Sequence, residues 1–156
     1  MAEKKLRPWT KREEKLGHSV IKVMSAVNTW AFRVSGGKLG AHFPGGAPIL
    51  LLTTIGRRSG EARVAPLLYL KEGNDYVIVA SKGGMSHHPA WYLNLKTHPE
   101  VDVEVGREKL RMVARPASAA EKAHLWPKLV AMYPSYDDYQ SRTERQIPVV
   151  ILSPRP

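Results

Sequence analysis

Residues 48–70 read Pro48-Ile49-Leu50-Leu51-Leu52-Thr53-Thr54-Ile55-Gly56-Arg57-Arg58-Ser59-Gly60-Glu61-Ala62-Arg63-Val64-Ala65-Pro66-Leu67-Leu68-Tyr69-Leu70. Two apolar, β-branched-rich runs flank a short polar segment bounded by glycines, the pattern of strand, tight turn and strand. Three arginines, Arg57, Arg58 and Arg63, gather around the turn. A guanidinium takes phosphate or carboxylate oxygens bidentately, so such a tip suits an anionic group. An ordinary solvated hairpin tip is the plain alternative. Further on, Ala80-Ser81-Lys82-Gly83-Gly84 forms a second small, basic loop at the end of another strand. Two such loops on neighbouring strand ends would grip a phosphate-bearing ligand from both sides, and that reading leads.

Working outward, the pattern predicts strands over Ile49–Ile55, Arg63–Leu70 and Tyr76–Ala80, with Gly73-Asn74 as the turn between the last two. Val101–Val105 alternates with period two and turns at Gly106-Arg107 into Lys109–Arg115, and a last strand spans Ile147–Leu152. Pro89 to Leu95 reads as a short helix opened by proline. Ser118-Ala119-Ala120-Glu121 is a capping box for a helix to about Met132, stopped by Pro134, and a short helical piece follows around Tyr136 to Arg142. Strands joined by tight turns are antiparallel, and strict βαβ alternation is missing. The sum is a mainly β, α+β chain: a small, mostly antiparallel barrel with helices attached.

Ahead of the barrel lie a basic tail, residues 1–8, read as disordered, and a helix from about Thr10 to Val34 ended by Ser35-Gly36-Gly37. Its apolar residues Leu16, Val20, Val23, Val27, Trp30 and Val34 recur at steps of four and three and share one face. Packing of that face on the domain is the first expectation. The alternative is an interfacial helix within residues 1–34, with Lys4, Lys5, Arg7, Lys11, Arg12 and Lys15 near anionic headgroups and Trp9 at the boundary. The chain accordingly divides into 1–35, basic tail and amphipathic helix, and 36–156, the barrel.

The 156 residues fit one domain with a sizeable core, and 43% hydrophobic content is ordinary for a globular protein. The formal net charge of +10 attracts polyanions, and residues 1–40 carry nine basic against three acidic side chains. Cysteine is absent, which excludes disulfides and thiolate chemistry. Neither a secretory signal nor a long apolar span is visible, so a cytoplasmic location is expected, with peripheral attachment at the inner membrane face if the helix meets lipid.

There is no G-x-S-x-G elbow, no P-loop lysine pattern and no G-x-G-x-x-G after a strand. His87-His88 with His98 lacks a spaced carboxylate partner, so no metal site is expected. With little chemical equipment of its own, the chain calls for a bound organic cofactor. Tyr133, Tyr136 and Tyr139, at three-residue spacing, would share a helix face as core or as a pocket wall, with Trp91 and Tyr92 as an opposite wall.

The runs Leu51 to Gly60, Arg63 to Leu67, Ala80 to Gly84, Pro89 to Leu95 and Met132 to Gln140 together resemble the deazaflavin (coenzyme F-420)-dependent nitroreductase and quinone reductase family of mycobacteria and other actinobacteria. The resemblance spans nearly all of residues 48–152. It implies a split β-barrel of the FMN-binding kind and coenzyme F-420, an 8-hydroxy-5-deazaflavin carrying a phosphodiester and an oligoglutamate tail. By that resemblance Arg57, Arg58, Arg63 and Lys82 hold the phosphate and tail, while Pro66, Leu68, Ala80, Ser81, Trp91 and Asn94 line the ring. Tyr133, Tyr136 and Tyr139 correspond to substrate-side tyrosines. Leu68 and Ala65 stand where the nitroimidazole-activating member has tyrosine and asparagine, which weakens transfer of its substrate range. The implied reaction is hydride transfer to an electron-poor small-molecule acceptor, a quinone, an activated alkene or a nitroaromatic. Ser81, Tyr133 and Tyr136 are the candidate catalytic groups. An FMN-dependent oxidoreductase on the same barrel is the alternative, and no nucleic-acid partner is expected.

Overall fold

The computed structural model describes residues 5–156. Seven strands form one sheet: β1 (Ile49–Ile55), β2 (Ala62–Leu68), β3 (Leu70–Glu72), β4 (Asp75–Val79), β5 (Glu100–Val105), β6 (Glu108–Pro116) and β7 (Val149–Pro154). Their order is β2-β1-β5-β6-β7-β4-β3, and every pairing is antiparallel. The two edge strands, β2 and β3, are one stretch of chain bent at Tyr69, whose N–H donates to the Pro48 carbonyl at 3.1 Å. Covalent continuity between opposite edges curls the sheet into a barrel. The expected strand Arg63–Leu70 is therefore broken in two, because its first half pairs with β1 and its second with β4.

Period-two alternation sorts the side chains into two cores. Leu50, Leu52, Tyr76, Ile78, Val150 and Leu152 point inward and meet Tyr92 and Leu95 of α2 (Ala90–Thr97). Val77, Val79, Val149 and Ile151 point outward and are covered by Leu125 and Leu129 of α3 (Ala119–Met132) and Tyr136 of α4 (Ser135–Arg142). The Ser118 capping box opens α3 as expected.

Helix α1 (Lys11–Val34) starts at Thr10 with its own capping box to Glu13. Its apolar face does not pack on the domain. Leu16, Val20, Val23, Val27, Trp30 and Val34 are 49–68% exposed, and Phe32 alone in this helix is buried. The tail also departs from expectation. Residues 1–4, Lys4 among them, lie outside the described residues, but Leu6 to Trp9 are fastened to the barrel. The Leu6 N–H donates to Ser141 Oγ, Arg142 donates to the Arg7 carbonyl, and the Trp9 indole donates to the Gly83 carbonyl at 2.7 Å. Arg142 also stacks over the Trp9 ring at 4.3 Å. Trp9 thus has its polar partner within the protein, where the interfacial reading had placed it at a lipid boundary.

Candidate active site

The turn after β1 closes through Gly56 N–H to the Glu61 carbonyl and Gly60 N–H to the Gly56 carbonyl, both 2.8 Å. Asn94, buried on α2, braces it. Its Oδ1 accepts from the Arg57 backbone N–H at 3.1 Å and from Arg57 Nη1 at 3.3 Å, while its Nδ2 donates to buried Thr54 at 3.3 Å. Among the described residues no carboxylate pairs with Arg57 or Arg58, whereas exposed Arg63 reaches Glu61 at 3.1 Å. Two exposed guanidiniums without an acidic partner are free to take an external anion.

The second basic loop faces this turn across a cleft of about 1120 Å³. Lys82 adopts φ 44° and Gly84 φ 78°. A Cβ on Gly84 would stand 2.5 Å from the Tyr139 carbonyl oxygen, so only glycine lets α4 approach so closely. Arg145 holds the loop from below, donating to the carbonyls of Met85 (2.8 Å), Ser81 (2.8 Å) and Ala80 (3.3 Å) and contacting His88 Nδ1 at 3.1 Å. From above, Glu14 of α1 accepts from the Ser86 N–H at 2.6 Å and its hydroxyl at 3.0 Å. The Ser86 backbone bond, more than the hydroxyl, holds Glu14 below the usual carboxylate range against the opposing effect of burial. Lys82 Nζ lies 2.8 Å from His87 Nε2. Burial lowers the pKa of both groups, with Lys82 adding to the effect on His87, so a neutral His87 accepts from the ammonium.

Pro66 and Leu68 on β2, Trp91 on α2 and Tyr133, Tyr136 and Tyr139 line the same cleft. The three tyrosines do not share one helix: Tyr133 caps α3, and Tyr136 and Tyr139 belong to α4. They still cluster, with the hydroxyls of Tyr133 and Tyr139 2.9 Å apart and the Tyr136 ring centroid 5.0 Å from that of Tyr133. Burial raises the pKa of Tyr136 and Tyr139, so both stay neutral phenols at ordinary pH.

The cleft thus collects the sequence-predicted residues Arg57, Arg58, Arg63, Pro66, Leu68, Ser81, Lys82, Trp91, Asn94 and the three tyrosines. Ala80 is the exception. It shares the inward parity of Tyr76 and Ile78, so its side chain belongs to the barrel core. Tyr92 is likewise core, its ring tilted against that of His88 at 4.9 Å, and Trp91 forms the far wall without it. Sequence reasoning missed four groups that complete the site. His18, Lys22 and Arg33 line it from α1, and Phe43 meets Tyr133 edge to face at 5.6 Å. Basic residues on the helix side opposite the apolar stripe were the available signal for the first three. Arg145 had none, since its role consists of bonds to carbonyls distant in sequence.

A family model described as F420H(2)-dependent quinone reductase matches residues 24–154. The F420H(2)-dependent quinone reductase Rv1261c of Mycobacterium tuberculosis (strain ATCC 25618 / H37Rv) is 37% identical over 146 residues, covering 92% of this chain and 95% of that protein. A solved F420-H2 dependent reductase, FDR-A, is 44% identical with a TM-score of 0.63, over 68% of this chain and 94% of that one. A second solved relative, described as a domain-swapped dimer, is 37% identical with a TM-score of 0.66, over 82% of this chain and 97% of that one.

Proposed function

The chain belongs to the F420H(2)-dependent quinone reductase family, and from that premise we propose that it reduces a quinone-type acceptor in the cleft beneath α1, using the reduced deazaflavin F-420. The observation that carries this reading is the pair of carboxylate-free guanidiniums, Arg57 and Arg58, at the rim of a cleft floored by Pro66, Leu68 and Trp91. That donor set fits a cofactor with an anionic tail and a flat apolar ring. Arg57, Arg58, Arg63 and Lys82 take the phosphate and tail carboxylates, and Asn94 acts as the brace that aims Arg57. Lys22 of α1 adds positive charge on the facing side, where Arg33 is paired with Glu104. When bound, the reduced deazaflavin supplies a hydride from a ring carbon.

The protein's part is orientation and proton placement. Two hydroxyls 2.9 Å apart share one proton between them, so in the Tyr133–Tyr139 pair the second O–H is free to donate to an acceptor oxygen on which negative charge develops. Ser81, buried at the loop edge, offers a further hydroxyl. Tyr136, almost fully buried, shapes the wall behind them.

Fluorescence titration of the pure protein with F-420 and, separately, FMN tests the cofactor. Quenching by F-420 at much lower concentration than by FMN is expected, with the signal reduced in Trp91→Phe and the remainder coming from Trp30, which lines the same cleft. Joint replacement Arg57→Ala/Arg58→Ala weakens F-420 binding at least tenfold, about 1.4 kcal/mol. Preference for FMN overturns the cofactor assignment and keeps the barrel. Tyr133→Phe lowers turnover with a quinone far more than it lowers F-420 affinity; equal losses would remove Tyr133 from the proton path. Running the same assay with an enone and a nitroaromatic ranks the acceptor classes.

A further inference from the structure

Each of the two basic loops has a cation with a brace. At the arginine turn, Asn94 Oδ1 accepts from Arg57 Nη1 at 3.3 Å. At the Ser81 loop, His87 Nε2 lies 2.8 Å from Lys82 Nζ. An ammonium only donates, so Nε2 is the accepting nitrogen and Nδ1 carries the proton of a neutral ring. Nδ1 faces Glu14 Oε2 at 3.8 Å, too far for a hydrogen bond but within reach of an ion pair once the ring is charged. Glu14 is itself fixed by the Ser86 N–H and hydroxyl at 2.6 and 3.0 Å. The imidazole thus stands between a cation and an anion, and its own charge sets which of them it favours. The two braces differ in one respect: an amide does not titrate, and an imidazole does.

We propose that His87 is a positioning residue for Lys82: its neutral ring holds the ammonium at the cleft edge for the anionic part of the cofactor, and its protonated ring lets the ammonium go. This rests on the reading that Lys82 takes that anion. A lysine is a point charge on a flexible stem, and fixing it before the ligand arrives lowers the ordering cost of binding. Lys82 lines the cleft and His87 does not, so the ring acts through the lysine. A charged ring cannot accept from an ammonium and repels it, while Glu14 attracts the ring. The groups that face His87 are Lys82 and His88 of its own loop, Glu14 and His18 of α1, and Arg145 ahead of β7. Burial foremost, then Lys82, lowers the His87 pKa, with Glu14 opposing. The bracing form is therefore complete above the ordinary histidine range and is lost as pH falls through the folded value. The His87 side chain is 56% exposed, so its replacement leaves the fold intact.

Two measurements on the full-length protein test this brace. Nitrogen NMR of the cofactor-free protein reads the ring directly: the Nδ1–H tautomer is expected in the wild type, and Lys82→Met removes that preference and raises the His87 pKa. Fluorescence titration with F-420 then gives the factor by which Lys82→Met weakens binding at each pH. That factor is roughly tenfold above the His87 pKa and falls to about threefold or less below it. Comparing the two proteins at each pH cancels the general attraction of a charged histidine for an anion, which by itself tightens binding in acid. His87→Gln, whose amide oxygen accepts at every pH, keeps the large factor throughout, and in His87→Ala the factor is small throughout. A wild-type factor that is flat in pH or grows in acid overturns the role of His87, as does an undiminished factor in His87→Ala or an Nε2–H tautomer in the free protein. A wild type that binds no F-420, or Lys82→Met with unchanged affinity at every pH, instead overturns the reading on which the proposal rests, and the proposal with it.

Discussion

Helices α1 and α3 begin in the same way: each has a capping box, Thr10 with Glu13 and Ser118 with Glu121, and each carries an apolar stripe. Helix α3 lays its stripe, Leu125 and Leu129, on the outward row Val77, Val79, Val149 and Ile151 of β4 and β7. Helix α1 crosses the cleft mouth, buries only Phe32 against the barrel, and leaves its longer stripe exposed. Periodicity therefore states which residues of a helix are apolar, and the surface opposite decides whether they are buried. In α3 that surface comes from the same chain, because outward-facing β-branched residues on two paired strands need a cover. In α1 the surface opposite is an open cleft, so Trp30 and Val34 line its rim and the stripe stays largely exposed.

The largest test of this contrast is a truncation. Leu129→Ala costs about 2–5 kcal/mol of stability in chemical denaturation, as for other fully buried leucines, while Val27→Ala in dilute protein changes the barrel's stability by under about 0.5 kcal/mol. Comparable losses would mean that α1 is buried as deeply as α3 in the single chain. Cap removal sharpens the point. Ser118→Ala and Thr10→Ala each cost about 1 kcal/mol of helix stability, but the first lowers the global unfolding midpoint, whereas the second registers in hydrogen exchange along α1.

The smallest effect is the response to acid. Glu14 has a folded pKa below its ordinary value, so its contribution is complete above the ordinary carboxylate range and is lost as pH falls through the folded value. Release of the Ser86 contact in acid should shift Trp9 emission while α3 keeps its helical signal. Glu14→Gln should abolish the pH dependence of that shift.

The arginine turn and the Ser81 loop were legible because each is a local device: glycines that set a turn, with the charges beside them. Ala80 was legible in principle, since period two from Tyr76 puts it inside the barrel. The break at Tyr69 was not, because the run from Arg63 to Leu70 is uniformly strand-like and only the two different partners of its halves divide it. Arg145 was hidden for the same kind of reason. It binds carbonyls of residues 80, 81 and 85, a set that exists only after β4 and β7 pair and the loop between β4 and α2 folds over.

The bend at Tyr69 also governs how the barrel can come apart. Every other line between strands is held by hydrogen bonds, but β2 and β3 are joined by peptide bonds at the corner. A barrel of this kind behaves as a hoop with one welded joint. Local opening has to begin at a hydrogen-bonded line such as β1–β5 or β6–β7, whose partners lie far apart in sequence and whose ends close last during folding. The cleft floor at Pro66 and Leu68 sits beside the weld, so this wall of the cleft keeps its chain connection while other parts of the barrel breathe.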